Sequence, residues 1–443
     1  MMFERARAIR RIKSAEPYAD AEVKAALAPF SPSVLVEIAR SREAWLVRRA
    51  AVRALDGRVD DGVAGALLEI SLDAREVTEL RCAALDVLAR AGRTESVPAL
   101  RRLRAEIDAM QSPPYGLGDA VVSACARLGD IEAAVAALRL RYDAWTHRRH
   151  TGEAAVQALQ ERVGTLGLAR AFGAADASAE ELGGLSRRHP EAVVRRWAID
   201  VAPADAPWLT ETLGDEEWVV AEGAEAAILR GGPAVGESLR ALAREAGAAP
   251  EVRARAILAL LRRGQEEEAR SLWSAFEDGR IELIGVPDAI RRAVLHHYLP
   301  GQRGTDPRWV LEGELDLGID LHTERYAGPD EAPEQILAAA RQALEQAGFT
   351  SGKATPIGFI RQQGDGTYCH LETSAGVLEI SELGRFVATE EDLPARARES
   401  LKQAGFLFVE GALAADFFDG LNVYFFGRRE PLSIYNLLFY WQD

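Results

Sequence analysis

The stretch Val47-Arg48-Arg49-Ala50-Ala51 decides the fold of this chain, because versions of it return along the first two-thirds of the sequence. Each version opens an amphipathic helical pattern with an apolar residue, followed in most copies by arginine and small alanines. The clearest further copies occupy residues 80–84, 194–198, 220–224, 252–256 and 290–294. With weaker copies ending at Val121 and Ala155, the mean spacing is about 35 residues, which predicts a stacked helical repeat.

Glycine ends most of these helices, at positions where a left-handed terminal residue is favoured. These glycines are Gly57, Gly92, Gly129, Gly231 and Gly264. A second amphipathic segment lies between consecutive copies, so each unit is predicted to be a helical hairpin. A hairpin cannot bury its apolar face alone, and the sequence therefore predicts an α-solenoid of about eight stacked hairpins over residues 1–300.

The V-R-x-A-A opening, the hairpin unit and the period resemble HEAT repeats, especially the short bacterial kind also found in phycobilisome-lyase-type proteins. The resemblance covers roughly residues 30–300, and irregular spacing around Ala198 predicts a kink, or an extra helix near residues 178–186, in the middle of the solenoid. In HEAT repeats, the residue at the motif arginine commonly ties a helix to the turn of its neighbour. The resemblance therefore favours this structural role over a ligand-binding ladder for Arg48, Arg81, Arg195, Arg253 and Arg291.

The composition is that of a globular protein, with 443 residues, 48% of them apolar and 27% charged. No apolar run reaches membrane-spanning length and no signal-peptide core is present, so a cytoplasmic location is expected. The cysteines Cys82, Cys125 and Cys369 lie far apart, which predicts reduced thiols and no zinc site. The alanine and arginine usage is typical of a bacterial protein, and no cofactor is predicted.

Prolines and glycines concentrate before residue 308, and they predict a linker at 301–308 and a second domain at 309–443. Alternation of apolar and polar residues over 309–324 predicts a strand, and 333–347 is helical. Further strands are predicted at 356–361, 367–373, 406–410, 421–426 and 433–441.

An internal duplication organises this second domain. Residues 340–349 recur at 397–406, with seven of ten residues identical. Two strand-helix-strand-strand units, about 309–373 and 375–441, predict an α+β domain in which an antiparallel sheet carries both helices on one face. The form is similar to ferredoxin-like domains and to the duplicated modules of the gyrase-inhibitor-like ligand-binding family, at the level of fold alone.

The sequence contains no nucleotide-binding loop, serine-hydrolase elbow, zinc-protease motif or dinucleotide fingerprint. One constellation could carry chemistry, because two triplets of polar residues each alternate along one side of a predicted strand. The triplets are Asp320, His322 and Glu324, and Tyr368, His370 and Glu372. In adjacent strands, His322, Glu324, His370 and Glu372 could bind a divalent metal or form an acid–base pair. In the competing interpretation, the two triplets have no chemical role and are the solvent-exposed side of two amphipathic strands.

The net charge of the chain limits the classes of partner that it can bind. The net charge is −15, and residues 309–443 carry 22 acidic and 10 basic side chains, which argues against a nucleic acid partner. We therefore expect a non-enzymatic scaffold that binds a protein or peptide, with the acidic C-terminal domain contacting a basic partner. The alternative is a small-molecule or metal-binding C-terminal domain, catalytic or not, on a HEAT scaffold. The resemblance also implies a third function, that of a lyase that handles a chromophore. No residue specific to bilin chemistry supports this function.

Overall fold

A computed structural model of the chain describes residues 2–14, 20–300, 304–321, 331–355, 365–426 and 428–442. The chain divides into two compact units, Met1–Pro203 (unit 1) and Ala204–Asp443 (unit 2). This division does not coincide with the linker predicted at 301–308, and the predicted domain boundaries stay a prediction. Within the described ranges, every helix is too short or too polar to cross a membrane.

Unit 1 consists of helices that pair with their neighbours in sequence as hairpins. They are α1 (Met2–Ser14), α2 (Asp20–Leu27), α3 (Pro32–Ala39), α4 (Trp45–Ala54), α5 (Asp61–Leu72), α6 (Thr78–Arg90), α7 (Val97–Asp108), α8 (Leu117–Arg127), α9 (Ala134–Arg141), α10 (Thr146–Ala171), α11 (Ala179–Arg188) and α12 (Ala192–Val201). Helix α10 breaks at Gly164, where φ is 73°. Helix α11 lies near residues 178–186, where the irregular spacing predicts a kink or an extra helix, and it pairs with α12.

The helices that begin with the repeated motif pack directly on one another along the stack. Helix α4 contacts α6, α6 contacts α8, and α8 contacts α10, whereas the first helices of consecutive hairpins touch less. The motif alanines Ala50, Ala51, Ala83 and Ala84 are all buried. Because alanine lacks a long side chain, two helix backbones approach closely there. The stacked helical hairpins predicted from the period are confirmed.

The motif arginine joins the two helices of its own hairpin. Arg81 donates from Nε to the carbonyl oxygen of Ser71 at 2.9 Å, and Arg48 donates to that of Ala39 at 2.7 Å. Equivalent bonds run from Arg195 to His189 and from Arg253 to Ala243, whereas Arg291 donates to Ile281 in the irregular segment before its helix. The last carbonyls of a helix lack partners within it and carry partial negative charge, so a guanidinium group satisfies them well. The structural role expected for these arginines is confirmed.

A second set of arginines joins consecutive hairpins. Arg58 follows Gly57 and donates to the carbonyl of Phe30, and Arg93 follows Gly92 and donates to that of Val59. In unit 2, Arg263 donates to the carbonyl of Ile228 at 2.7 Å. Gly57 and Gly92 have φ of 76° and 68°, a left-handed conformation that glycine adopts without strain. The glycine turn therefore directs the next side chain back onto the preceding hairpin.

Side chains of three consecutive hairpins also converge on one carboxylate, Asp86 of α6. Arg53 of α4 pairs with it, Arg127 of α8 donates to it at 2.8 Å, and Arg90 lies 3.0 Å away. Burial alone would raise the pKa of the Asp86 carboxyl. The three positive charges outweigh burial, and this pKa lies below its ordinary value.

Unit 2 continues with helical hairpins and then changes to mixed α and β structure. A 3₁₀ helix at Pro207–Gly214 precedes α13 (Trp218–Leu229), α14 (Pro233–Arg244), α15 (Pro250–Arg262), α16 (Glu266–Ser274) and α17 (Asp288–Tyr298). The later helices are α18 (Pro307–Leu311), α19 (Pro333–Gln346), α20 (Ala395–Gln403), α21 (Gly411–Ala415) and α22 (Ile434–Leu438).

The strands of unit 2 form a central sheet and two short strand pairs. They are β1 (Ser351–Ala354), β2 (Asp365–Gly366), β3 (Tyr368–Thr373), β4 (Gly376–Ser381), β5 (Phe386–Ala388), β6 (Leu407–Phe408), β7 (Phe417–Phe425), β8 (Arg428–Ser433) and β9 (Trp441–Gln442). The central order is β1-β3-β4-β5-β6, antiparallel except for β5 and β6, while β2 pairs with β9 and β7 with β8.

Both long helices of this region lie on one face of the sheet, as predicted. The buried residues Ile336 and Leu344 of α19 and Leu401 of α20 share a core with Leu371 of β3. The two copies of the repeated decapeptide form the same local structure, because both helices end at a left-handed glycine, Gly348 or Gly405. The α+β arrangement expected from the sequence is confirmed.

The strand predicted at 309–324 is wrong in its described part. Residues 307–311 form α18, which continues into a π-helical turn at Glu312–Asp316. The carboxylate of Asp306 accepts a hydrogen bond from the Arg308 amide at 2.9 Å, and Pro307 occupies the first turn. The apolar residues at 311, 315 and 319 fit the spacing of a helix as well as the alternation of a strand. The capping residue and the proline therefore favour the helix.

The strand predicted at 433–441 is also mostly wrong, because α22 occupies it. Ser433 caps this helix by accepting a hydrogen bond from the Asn436 amide at 3.2 Å. Leu437 and Leu438 are buried in the core that covers the second face of the sheet, together with Tyr298 of α17. The Tyr298 hydroxyl donates to the carbonyl of Leu437 at 2.6 Å. The strand predicted at 356–361 lies outside the described residues.

Replacing Arg81 by alanine should lower the free energy of unfolding by about 1–3 kcal/mol, because the buried carbonyl of Ser71 loses its charged donor. Arg81 is only 4% exposed, so water cannot take its place. Urea unfolding followed by circular dichroism measures the change. Arg102→Ala, at an exposed position of α7, is the matched control. Equal stability of the two variants would contradict the role assigned to Arg81.

Asp86→Asn should destabilise the protein by about 1–3 kcal/mol at pH 7, because three guanidinium groups lose their shared counter-charge. A carboxyl with a depressed pKa contributes stability above its unfolded pKa and loses it as the pH falls. The difference in free energy of unfolding between Asp86→Asn and the wild type should therefore become smaller below pH 3.8. Urea unfolding at several pH values measures this difference. Asp108→Asn, in an exposed pair with Arg104, should show little change at any pH.

Candidate functional site

The outer face of the central sheet, opposite α19 and α20, holds the second predicted triplet. Tyr368, His370 and Glu372 alternate on β3 with the core residues Cys369 and Leu371. The cross-strand partner of His370 on β4 is Glu379, that of Tyr368 is Ser381, and that of Glu372 is Val377. The alternation predicted for this strand therefore places the three polar side chains on one side.

Helix α22 covers part of this face and adds a tyrosine to it. The Tyr435 hydroxyl donates to Oε2 of Glu379 at 2.7 Å. The Tyr435 ring packs on Phe439 at 5.2 Å between centroids, and the Tyr368 ring lies 5.2 Å from that of His370. His370 is half-buried and Glu372 is exposed, so the pair lies where the covered part of the face meets its open part.

The two phenols of this face are held in their protonated form, and that of Tyr435 donates a hydrogen bond to Glu379. Burial, reinforced by the hydrogen bond to Glu379, raises the pKa of Tyr435. Burial, followed by the charge of Glu379, also raises the pKa of Tyr368. Both hydroxyls therefore stay protonated near neutral pH, where they can orient a polar ligand but cannot act as bases.

The predicted metal site stays a prediction. His322 and Glu324 lie outside the described residues, and Asp320 lies in an irregular segment after the π-helical turn. In the part of the chain that the structure describes, no three His, Cys, Asp or Glu side chains are grouped as metal ligands. Of the four predicted ligands, His370 and Glu372 lie within the described residues, on the same side of β3.

The cysteines are buried or half-buried free thiols. Burial raises the pKa of Cys82 to about 11, that of Cys125 to about 12 and that of Cys369 to about 11. A nucleophilic or metal-binding cysteine reacts as the thiolate, and these groups remain thiols at neutral pH. The cysteine positions therefore serve packing.

A second candidate surface lies in unit 1, where three aromatic rings cluster. Tyr115 precedes α8 and is 74% exposed. Its ring centroid lies 6.4 Å from that of Trp145 and 6.3 Å from that of His147, and the last two are 5.5 Å apart. We call Tyr115, Trp145 and His147 the aromatic cluster. Trp145 is half-buried, and Tyr115 carries most of the exposed area. Tyrosine and tryptophan combine a large apolar area with a polar group, as residues that dominate protein interfaces do.

Local chemistry holds the aromatic cluster in place. Tyr115 follows two prolines and precedes Gly116, whose φ of 73° starts α8 with a left-handed turn. The guanidinium of Arg148, one residue after His147, donates to Asp119 of α8 at 2.8 Å and to Asp143 at 2.7 Å. These bonds tie the start of α10 to α8, so both sides of the cluster are positioned before any partner arrives.

The sequence analysis did not identify the aromatic cluster. One feature of the sequence could have indicated it, the run Ser112-Pro113-Pro114-Tyr115-Gly116. This turn-forming sequence places an aromatic residue between two helices. The proximity of Trp145 and His147 follows only from the stacking of α10 on α8.

No protein-family model matches this chain, and no curated protein is similar to it in sequence. Among solved structures, the chain is similar to one from the complex of CpcE and CpcF of phycocyanin lyase from Nostoc sp. PCC7120. The identity is 18%, the alignment covers 56% of this chain and 95% of that chain, and the TM-score is 0.25. At this TM-score the match carries no inference about function.

Tyr435→Phe should lower the free energy of unfolding by about 1–2 kcal/mol, because the Glu379 carboxylate loses a buried donor. In a double-mutant cycle with Glu379→Gln, the two changes should be non-additive, as expected for directly bonded groups. Tyr424→Phe is the control, since the Tyr424 hydroxyl has no hydrogen bond within the described ranges. Additive effects in the cycle, measured by urea unfolding, would contradict a coupled pair.

Proposed function

We propose that this protein is a non-enzymatic scaffold that binds another protein, with the aromatic cluster of unit 1 as its main contact. The observation that carries the proposal is the 74% exposure of Tyr115 beside Trp145 and His147. Large exposed aromatic side chains lose little conformational entropy on binding and bury much apolar area. Met110, 44% exposed in the same interhelical segment, extends the apolar area available to a partner.

The construction of unit 1 supports a binding role. Arginine-to-carbonyl bonds hold several of its hairpins together and join some of them to the next, which restrains the surface of the stack. A rigid surface meets its partner at a lower entropic cost than a flexible one. A stack of repeats also offers a long surface on which several contacts can add.

Unit 2 supplies the second part of the proposal, a contact with a basic region of a partner. Of the 68 acidic side chains, 40 lie in unit 2 against 23 basic ones, whereas unit 1 has 28 acidic and 30 basic side chains. Such an asymmetry favours association with positively charged surfaces and accelerates encounter at low ionic strength. A cytoplasmic location in a bacterium belongs to the same proposal.

The chemistry of the described site favours recognition over catalysis. The thiols of Cys82, Cys125 and Cys369 and the phenols of Tyr368 and Tyr435 are all held in their protonated forms by burial. Groups with pKa values raised away from neutrality are poor nucleophiles and bases.

Affinity capture from native cell lysate, quantified by mass spectrometry, tests the aromatic cluster. Proteins retained by the full-length wild type should fall at least about tenfold with Tyr115→Ala, since loss of an interface anchor typically costs 2 kcal/mol or more. Tyr115→Phe keeps the ring and should retain most of the binding. Because Tyr115 is exposed, both variants should fold as the wild type does, and thermal melts of both variants check this.

Phe417→Ala is the matched control, because Phe417 is a comparably exposed aromatic residue, 52% exposed, in unit 2. Its capture profile should equal that of the wild type. The proposal fails if Tyr115→Ala and Phe417→Ala retain the same proteins in the same amounts.

A further inference from the structure

The Glu379 carboxylate lies on the outer face of the central sheet without a cation to balance its charge. The side chain is half-buried, and within the described ranges its hydrogen bond is the one that Tyr435 donates to Oε2. His370 is its cross-strand neighbour, but no ion pair joins the two in the described part of the chain. Partial burial of a carboxylate is costly unless donors or a cation compensate for the lost water. The second oxygen, Oε1, is therefore available to a group from outside the chain.

Three aromatic rings lie on the same face beside this carboxylate. Phe439 is buried and contacts both tyrosines, with ring centroids 5.2 Å from Tyr435 and 6.2 Å from Tyr368. Both tyrosines are half-buried, so part of each ring remains open to solvent. We call Glu379, Tyr368, Tyr435 and Phe439 the Glu379 site. The faces of aromatic rings attract cations, so a cation bound to the carboxylate would gain a second attraction there.

We propose that the Glu379 site binds a lysine side chain in a basic segment of a protein partner. This inference rests on the proposed scaffold function and gives the acidic unit 2 a specific contact. The ammonium group of lysine is a compact charge that can bond to a single oxygen, such as Oε1. A guanidinium group binds a carboxylate best through both oxygens at once, and Oε2 of Glu379 already accepts from Tyr435.

The charges around the Glu379 site favour a basic segment. Glu372 is exposed on the same side of the sheet, and Glu390 is exposed near Tyr435. Burial and the Glu379 carboxylate are the main causes that raise the pKa of Tyr435, and the charge of Glu390 adds to them. Unit 2 as a whole carries 40 acidic against 23 basic side chains. These charges attract a lysine-rich segment and repel the phosphates of a nucleic acid.

Fluorescence anisotropy with the full chain tests the inference. The probe is a fluorescein-labelled peptide of about twelve residues that repeats Gly-Ser-Lys, and its match carries acetylated lysines, which lack the positive charge. The lysine peptide should bind the wild type at low salt, and acetylation should weaken binding at least about tenfold. A peptide that repeats Gly-Ser-Arg should bind about threefold more weakly than the lysine peptide, because the bidentate contact is hindered.

Variants of the protein locate the contact. Glu379→Gln keeps the shape of the side chain and removes its charge, so the lysine peptide should bind about tenfold more weakly. Tyr368→Leu should weaken binding about threefold through the loss of one ring. Glu345→Gln makes the same charge change at an exposed position of α19, on the opposite side of the sheet, and should bind as the wild type does. Thermal melts check that the variants fold, and the acetylated peptide tests the charge without any variant.

Four results would overturn the inference. They are no binding of the lysine peptide to the wild type, equal binding of the acetylated peptide, equal binding by Glu379→Gln and Glu345→Gln, and tighter binding of the arginine peptide. Capture through Tyr115 is measured separately, so its survival in any of these cases would leave the scaffold function standing. Loss of that capture, with binding of the lysine peptide intact, would remove the aromatic contact of unit 1 alone.

Discussion

The helical hairpins that carry the motif arginine depend on a guanidinium group that bridges their two helices. Arg81 shows the contact best, because it is almost fully buried and its Nε donates to the Ser71 carbonyl at the end of the preceding helix. A helix end exposes carbonyls without partners, and burying them unpaired would cost about 1–3 kcal/mol each. The arginine therefore permits the end of one helix to be buried against the start of the next, and the compact repeat follows.

The same contact explains why the repeat can be recognised in the sequence. The arginine lies in the first turn of the second helix, and its separation from the carbonyl is ten residues for Arg81, Arg253 and Arg291, nine for Arg48 and six for Arg195. The neighbouring motif alanines must stay small because consecutive second helices pack on one another. The types of residue at the motif positions are thus set by these contacts, which makes the motif recur.

Where the repeated motif is present, the sequence predicted the fold well, including the hairpins and a helix at Ala179–Arg188. Prediction was wrong at 309–321 and 433–438, where apolar spacing fits strand and helix alike and the capping residues Asp306 and Ser433 decide. For the site, alternation placed His370 and Glu372 on one side of β3. It could not show that Tyr435, 56 residues beyond Glu379, bonds to that carboxylate, since this contact depends on how α22 packs.

The arginines of unit 1 fall into two classes that differ in their acceptors. Arg58, Arg81 and Arg93 donate to backbone carbonyls, whose charge does not change with pH, so these contacts hold at any pH. Arg53, Arg90 and Arg127 instead pair with the side chain of Asp86. Protonation of that one carboxylate removes the counter-charge of all three guanidinium groups, so this contact weakens in acid. The stack of unit 1 therefore combines contacts within and between hairpins that are independent of pH with one contact across three hairpins that depends on it.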